Sequence, residues 1–216
     1  NYAIDSLGRA LKAAKDGAFE NEIQPVKLSL RGEQKTILAD EQPRNAKIDK
    51  IPSLKPAFRD GGTVTAANSS SISDGAAAMV ITKLSIAEQL GVKPLATIVA
   101  HVTHAQEPEW FTTAPIGAIK KVLDKTNWGK DEVDLYEINE AFSVVVLAAL
   151  KELDLDREKV NIHGGACAIG HPIGASGARI IVTLLNSLEK YSLKKGVASL
   201  CIGGGEATAV AIEKFH

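Results

Sequence analysis

The chain has 216 residues, of which 45% are hydrophobic and 24% charged, so it is long enough to bury a sizeable core in one or two domains. Its 25 lysines and arginines balance 26 aspartates and glutamates, which gives no indication of nucleic acid or an anionic membrane surface as a partner. With two cysteines in different loops and no segment typical of a signal or a membrane span, we predict a cytoplasmic location, with a mitochondrion or another organelle as the alternative.

The first predicted element is an amphipathic helix. Ile4, Leu7, Leu11 and Ala14 share one face, and the helix should end at residues 16–17, where Asp-Gly is typical of a C-terminal cap. The pattern is already under way at residue 1, without a methionine or a helix start signal. We therefore expect the chain to be part of a longer protein.

The next sixty residues are less regular. Apolar and polar residues alternate around the turn sequence Arg-Gly-Glu-Gln, which predicts a β-hairpin over residues 26–39. Residues 41–62 contain three prolines and little periodicity, and such an irregular excursion is long enough to be a binding loop. Residues 63–74 are small and polar, and they fit a linker as well as a functional segment.

From residue 76 onward the pattern is that of an α/β domain. We predict strands at residues 76–82, 95–102, 133–138, 197–202 and 207–212, and helices at residues 85–91, 114–125, 140–153 and 175–191. The helix at residue 85 begins with the capping box Ser-Ile-Ala-Glu. Apolar strands that alternate with helices predict a layered α/β fold, with a sheet covered on both faces.

Three loops at predicted strand ends carry residue types that perform chemistry. Asn139 follows a short strand, and Cys201 ends an apolar run and precedes three glycines. His171 lies in a run with too many glycines for a helix or strand interior, immediately before a helix. Free N–H groups and the positive end of a helix dipole are therefore expected beside this imidazole.

Each of these residues also fits a purely structural role. Cys201 alone fits a small buried hydrophobe, His171 a hydrogen-bonded surface group, and Asn139 the N-cap of a helix that begins at Glu140. The combination favours function, because three separate loops each place a catalytic residue type beside backbone donors. The glycines after Cys201 also let a substrate approach the main chain, which a structural cysteine does not require.

Three motifs resemble the C-terminal signature blocks of the thiolases, in the same order and at the same separations. They are Asn-Glu-Ala-Phe at 139–142, Gly-Gly-Ala with Gly-His-Pro within 164–172, and Cys-Ile-Gly-Gly-Gly at 201–205. The resemblance reaches upstream to Pro-Ala-Phe at 56–58 and spans essentially the whole chain. Phe-Thr-Thr-Ala-Pro at 111–115 is most similar to the acetyl-CoA acetyltransferase branch of the family.

The resemblance implies the layered αβαβα thiolase fold, here as the C-terminal half together with the end of the loop domain. Residues 1–72 would be the C-terminal part of the loop domain, which binds coenzyme A. Residues 73–93 would be the last strand and helix of the N-terminal half, and residues 94–216 the C-terminal domain. The implied partners are the N-terminal half of the same enzyme and further copies, in a homodimer or homotetramer.

The implied activity is acyl transfer: the reversible Claisen condensation of two acetyl-CoA molecules to acetoacetyl-CoA and CoA. By similarity, Cys201 is the acid/base for the α-proton, with a thiol pKa tuned toward neutral pH by its neighbours. His171 lowers the pKa of the nucleophile and donates to the thioester oxygen, and Asn139 holds a water in the same oxyanion hole. The N–H of Gly203 serves the second oxyanion.

The nucleophile of the family lies in a Cys-Gly-Ser-Gly-like motif that this chain lacks, since Cys167 and Cys201 stand in other settings. We therefore expect no thiolase turnover from this chain unless the N-terminal half is supplied. Two alternatives stay open: a 3-ketoacyl-CoA thiolase that accepts a broader range of acyl chain lengths, and a non-catalytic relative that binds CoA or lipid. A condensing enzyme of the ketoacyl synthase type would use a histidine at the position of Cys201.

By the same resemblance, further residues contact coenzyme A or line the acyl pocket. Ser70 would meet the pantetheine arm, and Phe111 would wall a pocket for a short acyl group or simply belong to the core. Arg44 and Lys50 would contact the nucleotide end, although solvated surface charge explains both equally well. The complete predicted set is Ser70, Arg44, Lys50, Ala66, Phe58, Phe111, Ala141 and Phe142.

No cofactor is implied beyond coenzyme A thioesters as substrates. Some relatives bind potassium near the positions of Tyr2, Ala66, Ala67, Ser69 and Cys167, where only the tyrosine and the two alanines match the family.

His101 and His104 have His-x-x-His spacing, but residues three apart on a strand point to opposite faces, so we predict no metal there. His163 precedes two glycines and has no assignable role.

Overall fold

The computed structural model describes residues 1–30 and 32–215. In chain order the elements are α1 (Tyr2–Lys15), β1 (Val26–Leu30), β2 (Glu33–Ile37), α2 (Glu41–Asn45), α3 (Leu84–Gln89), β3 (Ala96–Ala105), α4 (Ala114–Thr126), β4 (Leu135–Ile138), α5 (Ser143–Leu153), α6 (Ala166–Ile169), α7 (Ser176–Lys190), β5 (Lys195–Ile202) and β6 (Glu206–Lys214). Short 3-10 turns occur at Ile48–Ser53, Pro108–Thr113, Lys130–Glu132 and Arg157–Lys159.

Four strands form the main sheet in the order β3-β6-β5-β4. β6 runs antiparallel to both β3 and β5, and β4 is parallel to β5. Alternate residues of a strand face opposite sides of a sheet. Tyr136 therefore packs in the core cluster that contains α4 and α5, whereas its neighbour Leu135 packs with α7.

Both faces of the sheet carry a helical layer, as the strand pattern predicts. On one face, completely buried alanines at 207, 209 and 211 leave room for α4 to approach β6 closely. On the other face, Ile180, Leu184 and Leu188 recur at helical spacing and are essentially inaccessible to solvent. Each of these three side chains contributes about 2 kcal/mol to folding by its burial.

The first helix ends as predicted, but its buried face differs from the prediction. Gly17 follows the helix with a φ of +66°, which suits the C-terminal cap. The buried face includes Tyr2 and Ser6, whereas Ala14 of the predicted apolar face is exposed. These two polar residues occupy the inner face because their hydroxyls donate hydrogen bonds to the buried carboxylate of Glu140.

The strand predicted at residues 76–82 is wrong. These residues form no strand in the structure, and the side chain of Val80 is 96% exposed. The reason is that no other strand within residues 1–30 and 32–215 pairs with this apolar segment. The capping box was also misplaced, because α3 begins at Leu84 with Lys83 as N-cap, so Ser85 lies inside the helix.

The predicted hairpin is present as antiparallel β1 and β2, although Arg31 of its turn lies outside the described residues. Residues 41–62 are partly helical, with α2 and the 3-10 turn Ile48–Ser53. Throughout residues 1–30 and 32–215, every helix is too short or too polar to cross a lipid bilayer.

His163 is buried beneath the end of α7. Its Nδ1 lies 3.3 Å from the hydroxyl of Ser187, its Nε2 lies 3.1 Å from that of Tyr191, and the ring of Phe19 meets it edge-on at 5.6 Å. Burial, assisted by nearby lysines, lowers the pKa of His163 from its ordinary value of about 6.5 to about 4.

We expect acid to destabilise the fold through this histidine. Below pH 6.5 this histidine becomes protonated in the unfolded chain but stays neutral in the folded protein. The free energy of unfolding therefore falls as the pH is lowered from 6.5 toward 4. The loss should reach about 2–3 kcal/mol. Denaturant unfolding of wild type and His163→Asn at pH 7 and at about pH 4.5 measures it. An equal acid loss in both proteins would contradict the assignment.

Candidate active site

The parallel strands β4 and β5 bring two predicted site residues to one edge of the sheet. Ile138 pairs with Ser199, and the next residue, Asn139, donates its backbone N–H to the carbonyl of Ser199 at 2.9 Å. Cys201 follows two residues later on β5. Because parallel strands end at the same edge, the amide and the thiol lie on the same side of the molecule.

The structure also brings His171 into contact with Asn139. The Nε2 atom of His171 lies 3.2 Å from Nδ2 of Asn139, although 32 residues separate them. Its Nδ1 lies 2.6 Å from the hydroxyl of Ser176, the first residue of α7. Asn139 is buried and His171 is half-buried. Two of the three predicted loops therefore meet directly through their side chains.

The small polar segment at residues 68–72 runs between the loops that carry Asn139 and His171, so the linker interpretation is wrong. The backbone N–H of Ser70 donates to the carbonyl of Ala141 at 3.0 Å, and its hydroxyl donates to the same carbonyl at 3.0 Å. At the other end of the segment, the carbonyl of Ser71 accepts the N–H of His171 at 3.1 Å. These contacts join the segment to both loops.

The N-cap interpretation of Asn139 is also wrong. α5 begins at Ser143 with Phe142 as its N-cap, three residues after Asn139, so the predicted start at Glu140 was too early. Asn139 through Phe142 are extended or irregular because their main-chain groups pair with neighbouring segments, among them Ser69 bridged to Phe142.

Glu140 is a functional candidate that sequence reasoning missed. Its carboxylate is completely buried and accepts four hydrogen bonds. The donors are Tyr2 Oη at 2.8 Å, Ser6 Oγ at 2.7 Å, Asn161 Nδ2 at 3.1 Å and the Cys167 backbone N–H at 3.0 Å. The available signal was a glutamate two residues after the end of a predicted strand, at a place where the chain should still be buried.

The glycines upstream of His171 are required by this carboxylate and its neighbours. A Cβ atom at Gly165 would lie 2.5 Å from the carboxyl carbon of Glu140. At Gly164, where φ is +75°, it would lie 2.4 Å from the carbonyl oxygen of Ser6. Only glycine lets this loop pass between Glu140 and α1, so part of the Gly-Gly-Ala motif serves packing.

Cys201 lies at the sheet edge but is 7% exposed, within the apolar cluster that also holds Ala207. Burial raises the pKa of its thiol to about 11, and its own backbone N–H opposes this only in part. The expectation of a thiol tuned toward neutral pH is therefore wrong for this chain. Among the described residues, no hydrogen bond joins this thiol to Asn139 or His171.

The loop after Cys201 is open on one side. A Cβ atom placed on Gly203 would meet no atom within 4 Å, so a substrate could approach the main chain there. Gly205, in contrast, has a φ of +96°, and a Cβ there would lie 2.4 Å from the carbonyl of Gln106. The last glycine is therefore structural, and the first leaves space.

The charge of Arg179 acts on both a buried carboxyl and the imidazole. Glu137 of β4 is buried, and burial raises the pKa of its carboxyl to about 8 although Arg179 of α7 opposes the shift at 3.7 Å. Burial, followed by the charge of Arg179, lowers the pKa of His171 below its ordinary value. The imidazole is therefore neutral at physiological pH and able to accept a proton.

Three aromatic rings line the neighbourhood of the Asn139 loop. Phe142 meets Phe111 and Phe58 edge-on, each with ring centroids 6.3 Å apart. Phe58 is largely exposed, whereas Phe111 is half-buried and packs against the core cluster. Both interpretations of Phe111 thus have structural support, as a pocket wall and as part of the core.

The other predicted coenzyme A contacts lie on the surface. Arg44 folds back on its own backbone, with Nε 3.0 Å from the carbonyl of Asp40 and Nη2 3.4 Å from that of Ala39. Lys50 and Ala66 are exposed. Arg44 and Lys50 therefore fit solvated surface charges as well as they fit contacts to coenzyme A.

The groups at the predicted potassium positions are engaged within the protein. The Tyr2 hydroxyl donates to Glu140, the Ser69 hydroxyl to a backbone carbonyl, and the Cys167 carbonyl accepts from a glutamine side chain. Potassium binding therefore stays a prediction.

The two histidines of the His-x-x-His spacing lie in different surroundings. His104 packs its ring on Gly117 of α4, whereas His101 is exposed. Within residues 1–30 and 32–215, no three or more His, Cys, Asp or Glu side chains are grouped to hold a metal ion.

Comparison with known sequences places this arrangement in context. The family model Thiolase, C-terminal domain matches residues 92–214, and the model Thiolase, N-terminal domain matches residues 1–85. A probable acetyl-CoA acetyltransferase of Dictyostelium discoideum is 50% identical over 215 residues, which cover 99% of this chain and 52% of that protein. The chain spans about half the length of the curated relatives it matches.

Solved structures give the same result. The acetyl-CoA acetyltransferase of Bacillus anthracis has a TM-score of 0.96 at 44% identity, over 99% of this chain and 55% of that one. Human mitochondrial 3-ketoacyl-CoA thiolase in complex with CoA has a TM-score of 0.90 at 35% identity, over 99% of this chain and 53% of that one.

We expect the two buried glutamates of this region to respond differently to neutralisation. Glu140→Gln turns an NH2 group toward fixed N–H donors, which should lower the free energy of unfolding by about 2–4 kcal/mol. Glu137→Gln is the matched control, because a carboxyl with a pKa near 8 is mostly protonated at pH 7, and it should cost less than about 1 kcal/mol. Urea unfolding at pH 7 measures both, and equal losses would refute the role given to Glu140.

The high pKa of Cys201 predicts that its thiol stays protonated over the physiological range. With a pKa of about 11, about 1% is thiolate at pH 9. The Cβ carbon shift of Cys201, followed by NMR in 13C-labelled protein, should therefore stay constant between pH 6 and 9. A titration midpoint below pH 9 would show that burial does not control this group.

Proposed function

The chain belongs to the thiolase family, and on this basis we propose that it is the C-terminal portion of an acetyl-CoA C-acetyltransferase, an enzyme of the layered α/β thiolase fold. The observation that carries the proposal is the contact between Asn139 and His171 at the sheet edge where Cys201 also lies. An amide, a neutral imidazole and a thiol are the groups that condensation of two thioesters requires.

Cys201 suits a group that acts first as an acid and then as a base. In the first half-reaction a cysteine supplied by the N-terminal half attacks the thioester carbon of acetyl-CoA, and the departing CoA sulfur takes the proton of the Cys201 thiol. This leaves an acetylated cysteine, free CoA and a Cys201 thiolate. A thiol with a raised pKa is protonated at the start and strongly basic afterwards, which suits both steps.

In the second half-reaction the Cys201 thiolate removes an α-proton from a second acetyl-CoA. The resulting carbanion attacks the acetyl carbon, and acetoacetyl-CoA and the free cysteine result. We assign Asn139, with His171, to the oxygen of the thioester that forms the enolate, and the N–H of Gly203 to the second oxyanion. The buried Oδ1 of Asn139 has no protein partner among the described residues, which suits an atom that holds a water.

His171 has a distinct part in this scheme. Its neutral imidazole takes the proton of the nucleophilic cysteine, and the imidazolium then donates to the thioester oxygen. The proton is thus stored on the protein during the acyl transfer and returned at the end of the cycle.

A short acyl group is the substrate we favour. Phe111, Phe142 and Phe58 form a row of edge-on rings beside the Asn139 loop, and these rings would wall a pocket for a short acyl chain. Identity is also higher to an acetyl-CoA acetyltransferase, at 44%, than to a 3-ketoacyl-CoA thiolase, at 35%. A thiolase of broader chain length and a non-catalytic relative that binds CoA or lipid are the alternatives.

We infer that the N-terminal half of such an enzyme covers two exposed apolar surfaces of this chain. α5 is apolar on nearly all sides, yet Val144 and Leu147 are 48% and 46% exposed, and Val80 and Ile81 of the unpaired segment face outward. Helices of this kind are normally buried on every side, and large exposed apolar patches mark interfaces. The predicted division into residues 1–72, 73–93 and 94–216 belongs to this proposal.

Coenzyme A would lie along the segment at residues 68–72. Ser70 supports this assignment because it binds the Asn139 loop and lies between the two catalytic loops. The human thiolase with CoA is a similar structure, so we extend its ligand to this chain as a proposal. Homo-oligomerisation and the cytoplasmic location stay predictions.

The test is complementation. We expect no thiolysis of acetoacetyl-CoA from this chain alone, because it has no third cysteine to act as nucleophile. A chimaera that carries the N-terminal half of the Dictyostelium discoideum relative before residue 1 should turn over. In that chimaera Cys201→Ala should lower kcat by about 10³-fold or more, with an unchanged circular dichroism spectrum.

Two outcomes would refute the proposal. Steady thiolysis by the isolated chain would overturn the missing-nucleophile argument. A folded chimaera that binds CoA but has no thiolase activity would favour the non-catalytic alternative. As a control on the interface, Val144→Asp with Leu147→Asp should prevent a separately expressed N-terminal half from binding this chain.

A further inference from the structure

Ser176 connects the catalytic imidazole to a fixed hydrogen-bond acceptor. It is the first residue of α7 and is almost completely buried. Its hydroxyl lies 2.6 Å from Nδ1 of His171 and 3.0 Å from the carbonyl oxygen of Pro172. On the far side of the ring, Nε2 lies 3.2 Å from Nδ2 of Asn139.

The direction of this chain of hydrogen bonds follows from its end group. The amide nitrogen Nδ2 of Asn139 can only donate, so Nε2 of His171 accepts its N–H and is unprotonated. In the neutral ring Nδ1 then carries the proton and donates it to the oxygen of Ser176. The Ser176 hydroxyl proton is left to the carbonyl of Pro172, which can only accept.

We propose that Ser176 is a positioning residue that holds His171 in the tautomer with the proton on Nδ1. The proposal rests on the function proposed above, in which Nε2 takes the proton of the nucleophile. An imidazole with the proton on Nε2 would present a donor to that thiol and could not act as its base. Ser176 would thus act on the chemistry through the ring and not by touching the substrate.

The same helix provides a matched control. Ser187, also on α7 and also almost completely buried, places its hydroxyl 3.3 Å from Nδ1 of another histidine, His163. Substitution of either serine by alanine removes one buried hydroxyl from the same helix. Only the Ser176 change should affect the proton of His171.

The first experiment observes the proton directly in the chain as it is. Long-range 1H–15N spectra of 15N-labelled protein at about pH 8 distinguish protonated from unprotonated ring nitrogens, and His171→Asn assigns the signals. We expect wild-type His171 with Nδ1 protonated. In Ser176→Ala the signals should move to a mixture or to the Nε2–H form, Ser176→Thr should restore them, and Ser187→Ala should leave them unchanged.

A wild-type His171 with the proton on Nε2 would overturn the proposal, even if Ser176→Ala failed to fold. An unchanged tautomer in folded Ser176→Ala would overturn it as well. In the complementing chimaera, Ser176→Ala should lower kcat by about 10-fold to 100-fold and leave KM within about 2-fold. Because the tautomer is read in the isolated chain, an inactive chimaera would refute the proposed function without deciding the role of Ser176.

Discussion

The buried carboxylate of Glu140 is the interaction on which the rest of the site depends. A charge with no access to water is tolerated only where donors surround it, and here four donors come from α1, the turn at Asn161 and the start of α6. Its neighbour in sequence is Asn139, and one of its donors lies four residues before His171. The hydrogen bonds that satisfy this one charge therefore help to fix the positions of both loops of the candidate site.

This requirement explains several residues that otherwise have no clear purpose. Tyr2 and Ser6 interrupt the apolar face of α1 because the carboxylate needs their hydroxyls. Gly164 and Gly165 carry no side chain because any Cβ would collide with Ser6 or Glu140. α1 is far from the site in sequence, yet it is held against the site by hydrogen bonds that cost several kcal/mol to break.

The electrostatic state of the site follows from burial more than from neighbouring charges. Burial is the first cause of the lowered pKa of His171 and of the raised pKa of Cys201. At neutral pH the site therefore holds a neutral base and a protonated thiol. This is the starting state that the proposed acyl transfer to an external cysteine requires, and the charge of Arg179 adds to the effect of burial on His171.

Local pattern was sufficient for much of this chain. Helical and strand periodicity located α1, α4, α7 and the strands of the main sheet. The three loop motifs that contain Asn139, His171 and Cys201 were sufficient to identify the family. Such patterns are readable because spacing along one segment decides which of its residues face inward. The segment at residues 76–82 has the same apolar pattern but forms no strand, because pairing needs a neighbour that the described chain does not provide. Other features depend on groups that come together from distant positions in the sequence: the burial of the Glu140 carboxylate, the raised pKa of Cys201 and the hydrogen bond between Ser176 and His171. The spacing of residues within one segment cannot predict them.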